Sequence, residues 1–356
     1  MRTGIVTFHR ASNYGAVLQA YALQQTLGSL EKEPEVIDYR TPRVEFDHQP
    51  RYAWKKAGVL RGTRAIQGKV RRVRLFNSFR ERALKLTDVV TDEDLPDIRD
   101  DYDAFVVGSD QVWSEAYADL DPHLFLDFVT PSKRWSYACS PGMEQPSERQ
   151  REVFGRYLGD FREVSFREQS GRRFLSNSLG LDSRVDLDPT LLLQRSEWEA
   201  FSEAPAKKNY ILLYTVPRPL KLIELARHLS ESLGKEVIYL NNGYLTELRL
   251  HRVRYVTPEQ FVGWFANADL VLTNSFHGTA FSLLHHRDFV VEVDSQRGSN
   301  NRSLELLEAC GLSDRALKVA SPTAYHNMRR EINWDVCQCL LNSMGVDSLK
   351  YLSSIG

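Results

Sequence analysis

Short apolar runs alternate with helical stretches along most of the chain. Each run is long enough for a buried strand but too short for a helix, and polar turn residues usually follow it. The strand-like runs lie at residues 4–8, 36–39, 104–107, 135–139, 164–168, 185–187, 210–216, 236–240, 270–272 and 289–291. Because helical spacing returns between many of them, the pattern predicts α/β architecture with parallel sheets.

The alternation occurs twice, on either side of a polar stretch at residues 193–209 that contains Pro205. With 356 residues the chain is too long for one ordinary core. We therefore predict two Rossmann-like domains that face a central cleft. The first covers residues 1–195 and carries a basic helical insertion at 51–85. The second covers residues 196–356 and includes a C-terminal helix.

One stretch in the second half of the chain contains the main candidate catalytic residue. It reads DLVLTNSFHGTAFSLLHH over residues 269–286 and predicts a strand, a turn and a helix. His277 then lies where the strand ends, an edge at which ligands collect in α/β sheets. An imidazole there can transfer protons near neutral pH. A histidine that caps the turn or packs beneath the helix is the structural alternative.

The loop after the first predicted strand is a second candidate site. It reads HRASNYG over residues 9–15, and its single glycine excludes the three-glycine dinucleotide fingerprint. Ser12 or Asn13 can cap the following helix, and Gly15 would let a ligand approach the backbone. Ligand contact and simple turn chemistry both remain open for this loop.

The segment at residues 51–85 is dense in Lys and Arg, with Glu81 as its single acid. Apolar side chains such as Trp54, Ile66, Val70 and Leu75 are interleaved with the charges. A basic amphipathic helix of this kind can lie on an anionic membrane surface, although most charge-rich helices are solvated faces. Nucleic acid is the weaker expectation, because no recognised binding module accompanies the patch.

Composition limits which partners, metal sites and cellular locations are expected for this protein. The formal net charge is −1, so no global attraction to nucleic acid is expected. Of four cysteines only Cys337 and Cys339 are close, and a C-x-C pair alone makes a poor zinc site. We expect free thiols, no metal and no signal peptide. Because no apolar run approaches the ~20 residues that cross a bilayer, we expect a cytoplasmic protein, in peripheral contact with the inner membrane face if the basic segment binds lipid.

Two α/β halves with a polar cleft resemble the GT-B architecture of many glycosyltransferases. Seven sequence islands resemble a narrower group, the polysaccharide pyruvyl transferase family, in order and spacing over nearly the whole chain. These are IVTFHRASNYGAVLQAYALQ, VVGSDQVW, SYACSPG, VSFREQS, DPTLLL, TNSFHGTAFSLL and SNNRSLELLEACGL.

The resemblance implies transfer of the pyruvyl group of phosphoenolpyruvate onto a sugar, with loss of phosphate. Two hydroxyls of one sugar, commonly O4 and O6, become bridged as a pyruvate ketal. The acceptor would belong to a surface glycan or to its isoprenoid-linked precursor. No cofactor is implied beyond the donor itself.

The resemblance also assigns residues by their positions in the matching islands. His277 would be the general acid and base, and Arg167 and Arg302 would hold the donor's anionic groups, which suit guanidinium forks. The remaining donor contacts would come from Ser275, Asn274, Gly278 and Asn301. The acceptor would lie in the first domain, against His9, Arg10, Asn13, Tyr14, Gly15, Ser109, Asp110, Gln111 and Trp113, with Trp113 offering a stacking face.

Several alternatives stay open at this stage. Arg167 can instead pair with Glu168 or Glu163, and Arg302 can be a solvated residue at a helix start. Some relatives carry an arginine two positions before the histidine, where this chain has Ser275. The competing functions are a GT-B glycosyltransferase that uses a sugar nucleotide and a non-catalytic sugar-binding or scaffold protein.

Overall fold

The computed structural model describes residues 1–40, 59–142, 145–216, 220–240, 251–293, 301–318, 321–328 and 331–356. For residues 59–65, 220 and 301 it describes the backbone alone. Residues 51–58 of the predicted basic insertion therefore lie outside the described residues.

The chain divides into two compact units. Unit 1 contains residues 1–193 together with 344–356, and unit 2 contains residues 194–343. The division falls beside the boundary predicted between residues 195 and 196. Residues 344–356, which the sequence grouped with the second domain, belong to unit 1 instead.

Unit 1 is built on a five-stranded parallel sheet with strand order β3-β2-β1-β4-β5, next to a two-stranded sheet of β6 and β7. The strands are β1 Arg2–Val6, β2 Glu33–Tyr39, β3 Leu86–Val90, β4 Ala104–Val107, β5 Arg134–Ser136, β6 Ser165–Phe166 and β7 Arg184–Val185. The α-helices are α1 Tyr14–Ser29, α2 Val59–Ala83, α3 Leu95–Ile98, α4 Glu115–Ala118, α5 Glu148–Tyr157 and α6 Gln169–Leu179.

Unit 2 repeats the plan around a six-stranded parallel sheet with strand order β10-β9-β8-β11-β12-β13. The strands are β8 Tyr210–Tyr214, β9 Glu236–Leu240, β10 His251–Val253, β11 Leu270–Thr273, β12 Asp288–Glu292 and β13 Ala316–Leu317. The α-helices are α7 Arg195–Phe201, α8 Leu220–Leu233, α9 Pro258–Ala266, α10 Phe276–Leu284, α11 Asn301–Ala309, α12 Pro322–Asn327 and α13 Trp334–Ser354. Helix α13 belongs to unit 2 up to Ser343 and to unit 1 from Met344.

The central strands are apolar on both faces because helices cover both sides of a parallel sheet. In β4 all four residues are fully buried, and in β11 all four are buried as well. Both runs were predicted as buried strands from their unbroken apolar sequence.

The start of α9 is fixed by side-chain caps. Thr257 caps α9 by accepting a hydrogen bond from the backbone of Gln260, whose side chain accepts one from the Thr257 backbone. Pro258 occupies the first turn, where its missing N–H costs nothing. These contacts form a complete capping box at the start of α9.

The basic helix α2 uses one face to hold unit 1 together. Phe76 and Phe79 are fully buried, and the Phe76 ring lies 5.1 Å from the ring of Tyr14. Arg80 is buried as well and donates to the backbone carbonyls of His9 and Arg10 at 3.3 and 3.2 Å. Part of the positive charge of this segment is thus structural.

Among the described helices, none combines the length and the apolar composition that a bilayer span requires.

Candidate functional site

The carboxyl ends of the parallel strands of unit 1 bring several predicted residues to one edge. His9 and Arg10 follow β1, and Ser109 and Asp110 follow β4. Ligands of α/β sheets collect at this edge. The polar edge that the sequence predicts is therefore present in unit 1.

His9 is fully buried and fixed from both sides of its ring. Its Nδ1 lies 3.1 Å from the carbonyl oxygen of Thr7, and its Nε2 lies 2.9 Å from Oδ1 of Asp38. Burial lowers the pKa of His9, while Asp38 acts in the opposite direction. Since both ring nitrogens face acceptors, both contacts are complete only when the ring carries two protons.

Asp38 is the centre of a small charged group at the end of β2. Arg40 lies 3.4 Å from its Oδ2, and Arg10 lies 3.9 Å from its Oδ1. Burial alone would raise the pKa of Asp38, but His9, Arg10 and Arg40 together hold that pKa below its ordinary value. The group presents Arg10 and Arg40, which are partly exposed, around an ionised carboxylate.

Gln19 joins the two loops through its side-chain amide. The Nε2 atom donates to Oγ1 of Thr7 at 2.8 Å, and Oε1 accepts the backbone N–H of Ser109 at 2.9 Å. Ser109 donates its hydroxyl to the carbonyl of Ala138 at 2.6 Å. Both predicted loops therefore have fixed positions, set by a buried amide that the sequence analysis did not single out.

Three other predicted residues organise the start of α1. Asn13 caps the helix, because its Oδ1 accepts the backbone N–H of Gly15 at 2.9 Å. Tyr14 and Gly15 are buried in the first turn. The structural alternative that was left open for this loop, turn chemistry, accounts for these contacts.

Arg167 lies at the exit of β6 in a pocket of carboxylates. Its terminal nitrogens lie 2.7 Å from Asp188 and 3.1 Å from Asp110, and its Nε lies 4.0 Å from Glu168. Burial would lower the pKa of Arg167, but these carboxylates more than offset it and raise that pKa. The side chain is only 1% exposed.

This arrangement corrects the donor-binding role predicted for Arg167. Both terminal nitrogens already donate to buried carboxylates, and three carboxylates within 4.0 Å would repel a phosphate or a second carboxylate. The alternative of an ion pair with Glu168 was partly right, because Glu168 is a neighbour while Asp188 and Asp110 are the hydrogen-bonded partners. Arg167 holds the loops after β4 and β7 at the end of β6.

The loop after β4 begins at the polar edge of the sheet, with Asp110 and Gln111, and then enters the core at Trp113. Asp110 lies at the sheet edge, and the buried Oε1 of Gln111 has no hydrogen-bond partner within the part of the chain that the structure describes. Trp113 is fully buried, stacks on Phe125 at 5.7 Å and donates its indole N–H to the carbonyl of Leu124. The stacking face predicted for Trp113 is therefore wrong, because the core covers the ring.

In unit 2, the turn between β11 and α10 matches the predicted geometry. Ser275 caps the helix through an Oγ that accepts the backbone N–H of Gly278 at 3.4 Å. His277 lies in the first turn and is 7% exposed. A side-chain Cβ at Gly278 would lie 2.2 Å from Oγ1 of Thr273, so glycine is required for the helix to begin this close to the strand.

The other predicted donor residues occupy different positions. Asn274 pairs its side-chain amide with the backbone of Val216, at 2.8 Å from N–H to Oδ1 and 3.1 Å from Nδ2 to the carbonyl. Asn274 therefore links the ends of β8 and β11. Asn301 and Arg302 form the start of α11, and Arg302 is half-buried.

Sequence reasoning missed Asp38, Gln19 and Arg80, and gave Asp188 no role beyond ending a strand. A usable signal existed for Asp38, since it is a lone acid inside the apolar run VIDY. Gln19 and Arg80 carried no such signal, because each acts on a loop distant in sequence. Within the described ranges, no group of three or more His, Cys, Asp and Glu side chains is placed to hold a metal ion.

Solved structures of low sequence identity share this fold. The S. aureus MnaA–UDP co-structure has a TM-score of 0.52 at 11% identity, covering 100% of this chain and 90% of its own. The UDP-GlcNAc 2-epimerase of Neisseria meningitidis bound to UDP-GlcNAc has a TM-score of 0.52 at 11% identity, covering 100% and 94%. The epimerases have the GT-B fold, so the predicted fold class, two Rossmann-like domains of the GT-B kind, is confirmed.

The family follows from the sequence comparison. The family model for polysaccharide pyruvyl transferase matches residues 13–292, which is well over half of the chain. The chain belongs to the polysaccharide pyruvyl transferase family. A search of curated proteins finds no match.

Proposed function

We propose that this protein transfers the pyruvyl group of phosphoenolpyruvate to two hydroxyls of one sugar, forming a 4,6-linked ketal and releasing phosphate. The sugar would belong to a surface glycan or to its isoprenoid-linked precursor. The observation that carries the proposal is the family match across residues 13–292, with His277 in the first turn of α10 after a central strand.

The chemistry sets the tasks that the residues must perform. The methylene carbon of the donor gains a proton, and one sugar hydroxyl adds to the neighbouring carbon while losing its own proton. The carbon–oxygen bond to phosphate then breaks, and the second hydroxyl adds to the same carbon while its proton passes to the departing phosphate. We assign the proton transfers to His277, since an imidazole can both accept and donate protons near neutral pH.

We assign the donor to unit 2 and the acceptor to unit 1. In unit 2, the backbone N–H groups at the start of α10 offer partial positive charge to an anion, beside Ser275, Asn274 and Gly278. Arg302 would supply the guanidinium that the donor needs, and Asn301 would contribute its side-chain amide. Arg167 is left out of the donor contacts for the reason given above.

In unit 1, the acceptor hydroxyls would meet the partly exposed Arg10 and the loop after β4. Asp110 can accept hydrogen bonds from sugar hydroxyls, and the carboxamide of Gln111 lies next to it in the same loop. His9, Asn13, Tyr14, Gly15 and Ser109 support this surface through the contacts described above, whereas Trp113 supports it only from within the core.

The test is a product analysis. Purified protein is incubated with phosphoenolpyruvate and a panel of lipid-linked and free oligosaccharides, and released phosphate and product mass are measured. Phosphate release together with the mass of a pyruvate ketal supports the proposal. Release of a nucleoside diphosphate from a sugar nucleotide, with no reaction of phosphoenolpyruvate, would favour the glycosyltransferase alternative instead.

A further inference from the structure

A cavity of about 790 Å³ lies in unit 1 at the amino ends of β6 and β7. It is lined by residues 161–164, which precede β6, by residues 181–185, which lead into β7, and by side chains from the last turns of α13. A cavity of this size accommodates a small-molecule ligand. The candidate site described above lies at the carboxyl ends of the strands, and none of its residues lines this cavity.

Arg184 and Tyr351 form a fixed wall of the cavity. The Tyr351 ring is buried, and its hydroxyl donates to the carbonyl of Ser136 at 2.8 Å. The guanidinium carbon of Arg184 lies 4.2 Å from the centre of that ring, in a cation–π contact. Two hydrogen bonds from Arg184 to Asp186, at 2.7 and 3.0 Å, hold the guanidinium in place. Because the Arg184 side chain is 28% exposed, this fixed wall remains partly accessible to a ligand.

Ser183 supplies a hydroxyl that the fold leaves unused. The residue lines the cavity and is only 8% exposed, and its buried Oγ has no hydrogen-bond partner within the described part of the chain. Its backbone N–H, in contrast, donates to Oδ1 of Asp182 at 2.8 Å. A buried hydroxyl without a partner costs free energy, which a polar ligand in the cavity would recover.

The charges around the cavity are only partly paired. Apart from an ion pair between Arg184 and Glu163 at 3.5 Å, the described lining carries three cations and two carboxylates. The three cations, none of which forms an ion pair with another described residue, are Arg162, Arg172 and Lys350. The two carboxylates are those of Asp182 and Asp347. A ligand that carries both an anionic group and hydroxyls would therefore find partners for each.

We propose that this cavity binds an acidic sugar, a ring that carries a carboxylate or a phosphate beside its hydroxyls. The anionic group would pair with the free cations, and the hydroxyls would pair with Ser183 and the two carboxylates. A neutral sugar would leave the cations unused. A small inorganic anion would fill only part of the cavity and would lie beside carboxylates that repel it. The proposal does not depend on pyruvyl transfer.

Isothermal titration calorimetry of the full-length protein, without phosphoenolpyruvate, tests this proposal. The probes are glucuronate, glucose 6-phosphate, glucose and inorganic phosphate. At least one of the two acidic sugars should bind about tenfold or more tightly than glucose and inorganic phosphate do, because only an acidic sugar uses both kinds of group. Tighter binding of glucuronate would identify the preferred anion as a carboxylate, and tighter binding of glucose 6-phosphate would identify it as a phosphate.

Variants locate the bound sugar. Arg172→Gln with Lys350→Gln should weaken binding of the preferred acidic sugar by about tenfold or more, since hydrogen bonds between charged groups are the stronger ones. Ser183→Ala should weaken that binding by about 2–10-fold. It should not lower the melting temperature, because the Oγ has no described partner to lose.

The matched control is Arg74→Gln with Lys85→Gln. It removes the same two kinds of charge from exposed positions, one in α2 and one directly before β3. Both positions belong to unit 1, and neither lines the cavity. The control should bind the acidic sugar as the unmodified protein does.

The proposal is overturned if neither acidic sugar binds at about 10 mM. Binding of glucose or of inorganic phosphate that is as tight as that of the acidic sugars would also overturn it. So would unchanged affinity in the Arg172→Gln, Lys350→Gln variant, or an equal loss of affinity in the control. Because the titration contains no phosphoenolpyruvate, a failure of the proposed function leaves its result unaffected.

Discussion

His9 and Asp38 form a buried pair in which Nε2 lies 2.9 Å from Oδ1, while the other ring nitrogen faces the carbonyl of Thr7. The pair fixes the loop after β1 to the end of β2, and so positions Arg10 and Arg40 at the polar edge of unit 1. Hydrogen bonds to charged groups in such places contribute about 1.5–3 kcal/mol.

A double-mutant cycle tests this pair. We expect His9→Gln and Asp38→Asn to be coupled by at least about 1 kcal/mol in the free energy of unfolding, measured with urea. The control cycle uses Arg2 and Glu35, which are 3.7 Å apart with Arg2 half exposed, and its coupling should stay below about 0.5 kcal/mol. Equal coupling in both cycles would contradict a special role for the buried pair.

Arg167 is expected to stabilise the fold rather than bind the donor. Arg167→Met should lower the free energy of unfolding by about 3–5 kcal/mol, because it leaves buried carboxylates without their cation. Adding Asp188→Asn should restore part of that loss. Arg149→Met removes an arginine that is 52% exposed and should cost less than about 1 kcal/mol. A stable Arg167→Met protein with a raised KM for phosphoenolpyruvate would return Arg167 to the donor site.

His277 is expected to carry the proton transfers. His277→Ala should lower kcat by about 10²–10⁴-fold while the protein still folds, which circular dichroism checks. His228→Gln changes an exposed histidine of α8 in the same unit and should leave turnover unchanged. Retained turnover in His277→Ala would reject the mechanism. Acceptor binding should persist in either case, which separates catalysis from a pure sugar-binding role.

We expect His285 to make the stability of unit 2 sensitive to acid. It is buried at the end of α10, and burial, with Arg195 and Arg287, lowers its pKa to about 4. The unfolded chain binds this proton near pH 6.5, so stability is complete above that pH and falls as pH decreases towards 4, by up to about 3 kcal/mol.

The comparison that isolates this effect is His285→Phe, which keeps a planar ring beside Phe281. Urea unfolding at several values between pH 4 and pH 6.5 should show a shallower loss of stability for the variant than for the unmodified protein. Parallel curves would mean that His285 does not contribute, because the pH dependence of all other groups is common to both proteins.

Two glycines in helices should respond to alanine with opposite signs. Gly278→Ala places a Cβ 2.2 Å from Oγ1 of Thr273 and should destabilise the protein by about 1–3 kcal/mol. Gly345 in α13 has no atom within 4 Å of the corresponding position, so Gly345→Ala should stabilise by about 0.5–1 kcal/mol. The melting temperatures of the two variants test this expectation. Equal changes in melting temperature would contradict the close contact at Gly278.

Most strands were predictable because their signals are local, although the predicted runs do not include β3, β10 and β13. Strand β9 occupies the predicted residues, Glu236–Leu240. Apolar periodicity and end signals lie within each segment, so no distant residue is needed to read them. The same holds for Ser275 and His277, which were placed at a strand-to-helix turn from the order of residues alone.

Partners and burial were decided by the tertiary structure. Arg167 pairs with Asp110, which is 57 positions away, and no periodicity reports that distance. Trp113 reads as a candidate stacking residue beside a polar loop, yet the fold closes Phe125 and other rings around it. The sequence by itself determined where most of the strands and the family's motifs lie, because those depend on neighbours along the chain. Which charges neutralise one another and which rings stay accessible depend on segments that meet only after folding, and the structure alone assigns them.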